Sequence, residues 1–370
     1  MYIQNHPIKK WIAARRVLIL ISFLAILFGD CFLKPSLTAF PAKAQQGSTS
    51  IYLPIVRTNK SNSIVIGMYP TGYWQPLPIN ALQNEFYPVE NWSGKHISIA
   101  AIFHQIQGSN PPVLSLLTPL WDAGYTPFVN LYVNASARTV ADGGLDGDII
   151  AWARQFAQYA NGGQRMAFLA PMQEMNYPSV PYALDPANYK KAYERIQSLF
   201  AGQGVPRESV RWVFAPNGYT RSGDPPVENY YPGDSKTDII SISAYNFGYH
   251  PKNAYKDWET PPEVFLGSLD QIRSFAPDKP LIISQTGTTA YYSNGINWEQ
   301  KNKWLNDAYN LLASYPNMVA VIYYSANQDY DWSLFTGSQA IFSGYTQGVA
   351  NGAYIYMSPN EIKASALFGR

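Results

Sequence analysis

MAFLAPMQEM, residues 166–175, then DPANYKKAYERIQSLFAG, residues 185–202, then VRWVFAP, residues 210–216, decides how this chain folds. The first run is almost uninterrupted in its apolar residues, as expected of a parallel strand covered on both faces. In the second, Asp185 can cap a helix that has Pro186 in its first turn. Tyr189, Ala192, Ile196, Leu199 and Phe200 form the apolar stripe of that helix, and Gly202 ends it. The third run is again a short apolar strand. The unit is strand–helix–strand, and it recurs in both directions along the chain. Further strand-like runs lie at Ile64–Tyr69, Ile97–Phe103, Pro127–Val133, Ile239–Tyr245, Leu281–Thr286 and Met318–Tyr324, making eight in all. Between them, Ile149, Trp152, Ala153, Phe156 and Ala160 share a helical face. Thr260 and Glu263 make a capping-box pair ahead of Phe265, Leu269 and Ile272. Asn297 opens a helix carrying Trp304, Ala308, Leu311 and Leu312. Eight alternations of strand and helix predict an α/β fold, a single (β/α)8 TIM barrel. The rival is a doubly wound open sheet. Its dinucleotide-binding form is disfavoured, because Met68-Tyr69-Pro70-Thr71-Gly72 after the first run is no glycine-rich fingerprint.

The rest of the chain bounds what the barrel can do. Of 370 residues only 14% are charged, and the formal net charge is +2. Such a chain generates no field that would recruit nucleic acid. It holds 28 Tyr and 10 Trp, enough to fill a core and still line a groove in which rings stack on sugars. Residues 1–44 read as a secretory signal. Lys9, Lys10, Arg15 and Arg16 are its basic region, Val17–Phe28 its apolar stretch, and Ala42-Lys43-Ala44 its cleavage site. The apolar stretch is short for a membrane span, so no stable membrane insertion is expected after cleavage, and the protein is expected outside the cell. An uncleaved anchor is the alternative. Cys31, the sole cysteine, falls within the signal, so the mature chain relies on its core and not on disulfides. Residues 45–62 read as a linker with one apolar patch at Ile51–Val56, and residues 63–370 as the barrel.

Barrel chemistry sits at the C-terminal ends of the strands. The polar residues expected there are His104 and Gln105, Asn130 and Tyr132, Gln173, Glu174 and Asn176, Asn217, Tyr245 and Asn246, Gln285, then Tyr323, Tyr324, Asn327, Asp329 and Asp331. Glu174 stands out, since an apolar strand end raises a carboxyl pKa toward the range of a general acid. With its neighbours, Pro171-Met172-Gln173-Glu174-Met175-Asn176 resembles the acid/base motif of glycoside hydrolase family 26, the β-mannanase family. Four further segments resemble that family's motifs in order. They are Arg211–Asn217, Tyr230–Asp234 with Ile239–Asn246, Lys279–Gly287, and Asp329-Tyr330-Asp331-Trp332. The resemblance implies a secreted glycosidase that needs no cofactor and cleaves β-1,4-mannan or a related β-glycan with retention. In that mechanism one carboxylic acid protonates the leaving oxygen and a carboxylate roughly 5 Å away attacks the anomeric carbon. Glu174 matches the acid and Tyr245 the tyrosine that orients the nucleophile. Gln173 stands where the family often has His. At the nucleophile's place stands Gln285, whose neutral amide cannot form the glycosyl ester.

Three explanations of Gln285 compete. The protein is a carbohydrate-binding pseudoenzyme, or Asp234, Asp329 or Asp331 substitutes for the nucleophile, or the Gln was introduced to trap substrate. Substrate contacts are expected from His104, Gln173, Asn176, Trp258, Tyr324, Tyr69 and Trp74, with Tyr73 beside them. His104 lacks a partner at metal-ligand spacing, so no metal site is expected.

Overall fold

The computed structural model describes residues 63–369 apart from 74, 77, 109–111, 294, 327–328, 337–338 and 341. The signal segment, the linker, Trp74 and Asn327 therefore lie outside the described residues. Eight parallel strands close a barrel. They are β1 (Val65–Met68), β2 (Ile99–Gln105), β3 (Thr126–Tyr132), β4 (Ala167–Pro171), β5 (Val210–Phe214), β6 (Ile239–Asn246), β7 (Leu281–Thr288) and β8 (Met318–Tyr323). Each pairs with its sequence neighbour, and β1 pairs with β8 to close the ring. At that seam Gly67 has no room for a side chain, since a Cβ there would lie 2.8 Å from Cγ1 of Ile322. The expected single (β/α)8 barrel is what the chain forms, and the open sheet is excluded.

The helices follow the sequence signals. α1 (Ile79–Ser93), α2 (Val113–Asp122), α3 (Ala137–Ala141) and α4 (Asp146–Ala160) precede β4. α5 (Pro186–Gly202) starts where Asp185 accepts a hydrogen bond from Asn188 N. α6 (Pro261–Phe275) carries the Thr260/Glu263 capping box, and α7 (Trp298–Ala313) is capped by Asn297. α8 (Ser343–Val349) and α9 (Pro359–Ala364) complete the set. The apolar stripes face the strands: Trp152, Phe156, Ile196, Phe200, Phe265, Leu269, Trp304 and Leu312 are all buried. Leu199 and Leu311 sit at the stripe edges, half-buried.

One run behaves differently from its pattern. Met166–Met175 reads as a single strand, but β4 stops at Pro171. Met172 and Glu174 then adopt φ of 52° and 60°, a left-handed conformation uncommon for residues with a side chain. Proline supplies no N–H for continued pairing. The chain instead turns, and Glu174 N bonds to Ala215 O of the neighbouring strand end at 2.7 Å. At the opposite end, Phe368 packs on Phe168 at 5.6 Å, and the buried Arg211 donates to Lys363 O, so the segment after α8 seals the barrel floor.

Candidate active site

Glu174 is held by its backbone before its side chain is considered. Its N–H reaches across to Ala215 O, its carbonyl accepts from Tyr177 N at 2.9 Å, and Gln173 O accepts from Tyr182 Oη at 2.9 Å. Two left-handed residues kink the segment, a strain of about 1–3 kcal/mol each that the surrounding bonds must offset. The result turns the carboxyl toward the side chains of Ser243 and Asn217. Burial pushes that carboxyl above its ordinary pKa, and the Ser243 hydroxyl and Asn217 amide pull the other way. Among the described residues, the Ser243 hydroxyl has no other hydrogen-bond partner. The residue is only partly enclosed, as a group that must meet a substrate has to be.

β6 and β7 bring the second half of the site. Their register slips after Ile242↔Ile283, so that Ser243 pairs with Gln285. The extra residue, Ser284, forms a bulge of the kind that re-aims side chains beside active sites. Tyr245 Oη donates to Gln285 Oε1 at 3.0 Å. Asn217 bridges to Ser243 at the other edge. Glu174, Asn217, Ser243, Tyr245 and Gln285 thus occupy four adjacent strand ends. Behind them, Trp332 lies on Gly287, where a Cβ would come within 3.1 Å of the indole, and its ring is 5.0 Å from that of Tyr245.

Several expected substrate contacts have protein partners of their own. His104 is 2% exposed, and its Nδ1 accepts from Trp152 Nε1 of α4 at 2.9 Å. The ring is turned to the helix layer, because in β2 it is Phe103, one residue earlier, that stacks on Tyr69 inside the barrel. Asn176 is fully buried and its amide is committed. Its Oδ1 accepts from Asn217 N, and its Nδ2 donates to Asn217 O, Tyr219 O and Thr220 Oγ1. It positions Asn217 and presents no exposed surface to a sugar. Tyr69 is 2% exposed, donates to Ser284 O and accepts from Asn130 Nδ2, so it is a floor and not a platform. Tyr324 shares a 2.5 Å hydrogen bond with Tyr73 and packs edge-on to Tyr69, with little ring surface left open. Trp258 keeps partial exposure beside Tyr292. Gln173 is buried next to the acid, and among the described residues its Oε1 accepts no hydrogen bond.

The substitute nucleophiles fare no better. Asp234 precedes β6, at the opposite end of the barrel, where it accepts from Tyr231 Oη at 2.6 Å. Asp329 is ion-paired with Lys252. Asp331 accepts from Thr289 Oγ1 and Ala290 N, joining the segments after β7 and β8. Among the described residues, no group of three or more His, Cys, Asp or Glu could hold a metal, and no helix is long and apolar enough to cross a membrane. Ser243 and Trp332 were not among the expected site residues. Ser243 was legible: it stands two positions before Tyr245, hence on the same face of a strand, in an otherwise apolar run.

Comparison with known proteins places this geometry. No family model matches the chain. Over 216 residues it is 24% identical to endoglucanase H of Acetivibrio thermocellus, covering 56% of this chain and 23% of that protein. The chain thus spans less than a quarter of that relative's length. Among solved structures, it superposes on the modular endo-β-1,4-mannanase of glycoside hydrolase family 26 from Cellulomonas fimi with a TM-score of 0.58 at 15% identity, over 83% of this chain and 74% of that one. The family 26 β-mannanase of Bacteroides ovatus gives a TM-score of 0.59 at 13% identity, over 84% and 93%. The endo-β-1,4-mannanase catalytic domain of Bacillus sp. JAMB-750 gives 0.57 at 14%, over 83% and 90%. At such identities the likeness is one of fold. The chain has the fold of the family 26 mannanases, the family its motifs resemble.

Proposed function

We propose that the protein is a secreted glycoside hydrolase of the family 26 type, acting on β-1,4-mannan or a related β-glycan with Glu174 as general acid/base. The observation that carries this reading is the setting of Glu174, whose carboxyl is pushed up by burial and faced by Ser243 and Asn217. A carboxyl whose pKa is raised by its surroundings suits the role of a general acid. The fold of the solved mannanases and the sequence likeness to an endoglucanase point to β-linked glycans. The basic and apolar segments before Ala44 support export. The test is incubation of the full chain with mannan, xylan and mixed-linkage glucan, with release of reducing ends as the readout. No release from any of them, at concentrations where the glycan binds, sinks the reading.

Gln285 favours a second reading, a secreted carbohydrate-binding protein that has lost turnover. Its amide accepts from Tyr245 in the manner expected of the nucleophile but can neither bond to the anomeric carbon as an ester nor supply a countercharge. Saturable binding of one of these glycans without new reducing ends is the result that establishes it.

A further inference from the structure

A site with an acid and no nucleophile poses a definite chemical question. Glu174 is in place to protonate a leaving oxygen, yet the group facing the anomeric carbon would be an amide. Asp329 and Asp331 are held by Lys252 and by Thr289 with Ala290, and Asp234 is at the far end of the barrel. A retaining hydrolase in this condition can draw its nucleophile from the substrate. We infer that the structure assigns this site to β-glycosides whose cleaved residue carries a 2-acetamido group, and that this group takes the place of the missing carboxylate. The inference rests on Glu174 being the general acid proposed above.

The steps balance without any other reactant. Glu174 gives its proton to the glycosidic oxygen as the bond from that oxygen to C1 breaks. The carbonyl oxygen of the acetamide donates an electron pair to C1 and forms the new bond, giving a five-membered oxazolinium ring. Its N–H donates to Oε1 of Gln285, an oxygen with two lone pairs of which Tyr245 uses one. The carboxylate of Glu174 then takes a proton from water. The water oxygen attacks C1, the ring's C1–O bond breaks, and its electron pair returns to the amide. One water is consumed, and two inversions leave the configuration at C1 retained.

Two features of the site suit this chemistry. A neutral amide at 285 does not compete with the acetamide for C1, as a carboxylate would. Its oxygen is fixed by the 3.0 Å bond from Tyr245, and the residue is only 6% exposed, so the dipole is preorganised in a sheltered position. Stereochemistry then selects the sugar. The attacking group must be trans to the leaving oxygen, as in β-linked gluco- or galacto-configured 2-acetamido sugars. In a β-mannoside the C2 substituent is cis and cannot reach C1 from the back.

The test compares the 4-nitrophenyl β-glycosides of N,N′-diacetylchitobiose, cellobiose and mannobiose with the full chain. The acetamido substrate should exceed the others in kcat/KM by on the order of 10²-fold or more, as an internal nucleophile has a high effective concentration. Replacing N-acetyl by N-trifluoroacetyl should abolish most of that rate, and NMR should show the β-anomer as first product. Faster turnover of the cellobioside or mannobioside, or a rate indifferent to trifluoroacetylation, overturns the inference while leaving the glycosidase reading intact. Release from none of the three overturns both.

Discussion

At the scale of single residues, Glu174 combines backbone strain with a carboxyl whose pKa is raised by burial. Glu174→Gln should lower any hydrolysis by about 10²–10⁴-fold, measured as kcat/KM, while leaving glycan binding largely intact. The same variant should melt at a higher temperature at pH 7. A carboxyl with a folded pKa above its unfolded one stabilises the fold at low pH and forfeits that contribution as pH rises through the folded value. An uncharged amide has no such loss, so a melting temperature equal to or below that of the parent at pH 7 contradicts the assignment. Gln285→Glu is isosteric and keeps the bond from Tyr245. It should create or sharply raise retaining hydrolysis of β-mannan, and a second negative charge nearby should push the Glu174 carboxyl further up. The basic limb of the pH–rate profile reports that shift. Glu174, Tyr245 and Gln285 were legible because strand ends and family motifs coincide on them. The bonds of His104 to Trp152 and of Asn176 to the segment after β5 were not legible, because sequence gives the position of a polar side chain but not which layer it faces or which backbone groups it meets.

Between elements, the segment after β8 is fastened to the barrel by a cation that sequence patterning treats as surface. Lys301 of α7 is 1% exposed, donates to Asp331 O and Ser333 O, and lies 4.3 Å from the centre of the Phe342 ring. Trp332, between the two carbonyls, is thereby held against Gly287. Burial lowers the ammonium pKa from 10.5 to about 8, against the opposing pull of Asp331. From about pH 8 to about 10 the unfolded chain binds a proton that the folded chain has released, so stability contributed by this group rises with pH. Urea denaturation midpoints in that window should climb for the parent and stay flatter for Lys301→Met. At pH 7 the variant leaves two carbonyls unpaired, a cost of about 1–3 kcal/mol each, partly offset by removing a buried charge. The elements themselves were readable to within a few residues, because helix caps and apolar runs are local. The end of β4 was not, since the turn after Pro171 depends on Ala215 and Leu131, partners supplied by other strands.

The whole molecule is unusual in what fills it. With one cysteine it can close no internal disulfide, and much of its core is tyrosine, including Tyr159, Tyr189, Tyr193 and Tyr309. Burial pushes these phenols well above their ordinary pKa. Once the unfolded chain begins to ionise near pH 10, the folded chain still holds those protons, so stability falls as pH rises further. A steep alkaline transition should appear, with phenolate absorbance and loss of near-ultraviolet circular dichroism developing together. Gradual titration without unfolding contradicts the burial of these rings. Another consequence concerns the order in which the barrel is made. Phe368 and the backbone of Lys363 close the floor against Phe168 and Arg211, which belong to strands formed from residues much earlier in the chain. β4 and β5 are thus synthesised well before the residues that cover their lower ends. A nascent chain arrested before Phe368 therefore has its hydrophobic interior open from below, accessible to chaperones and proteases.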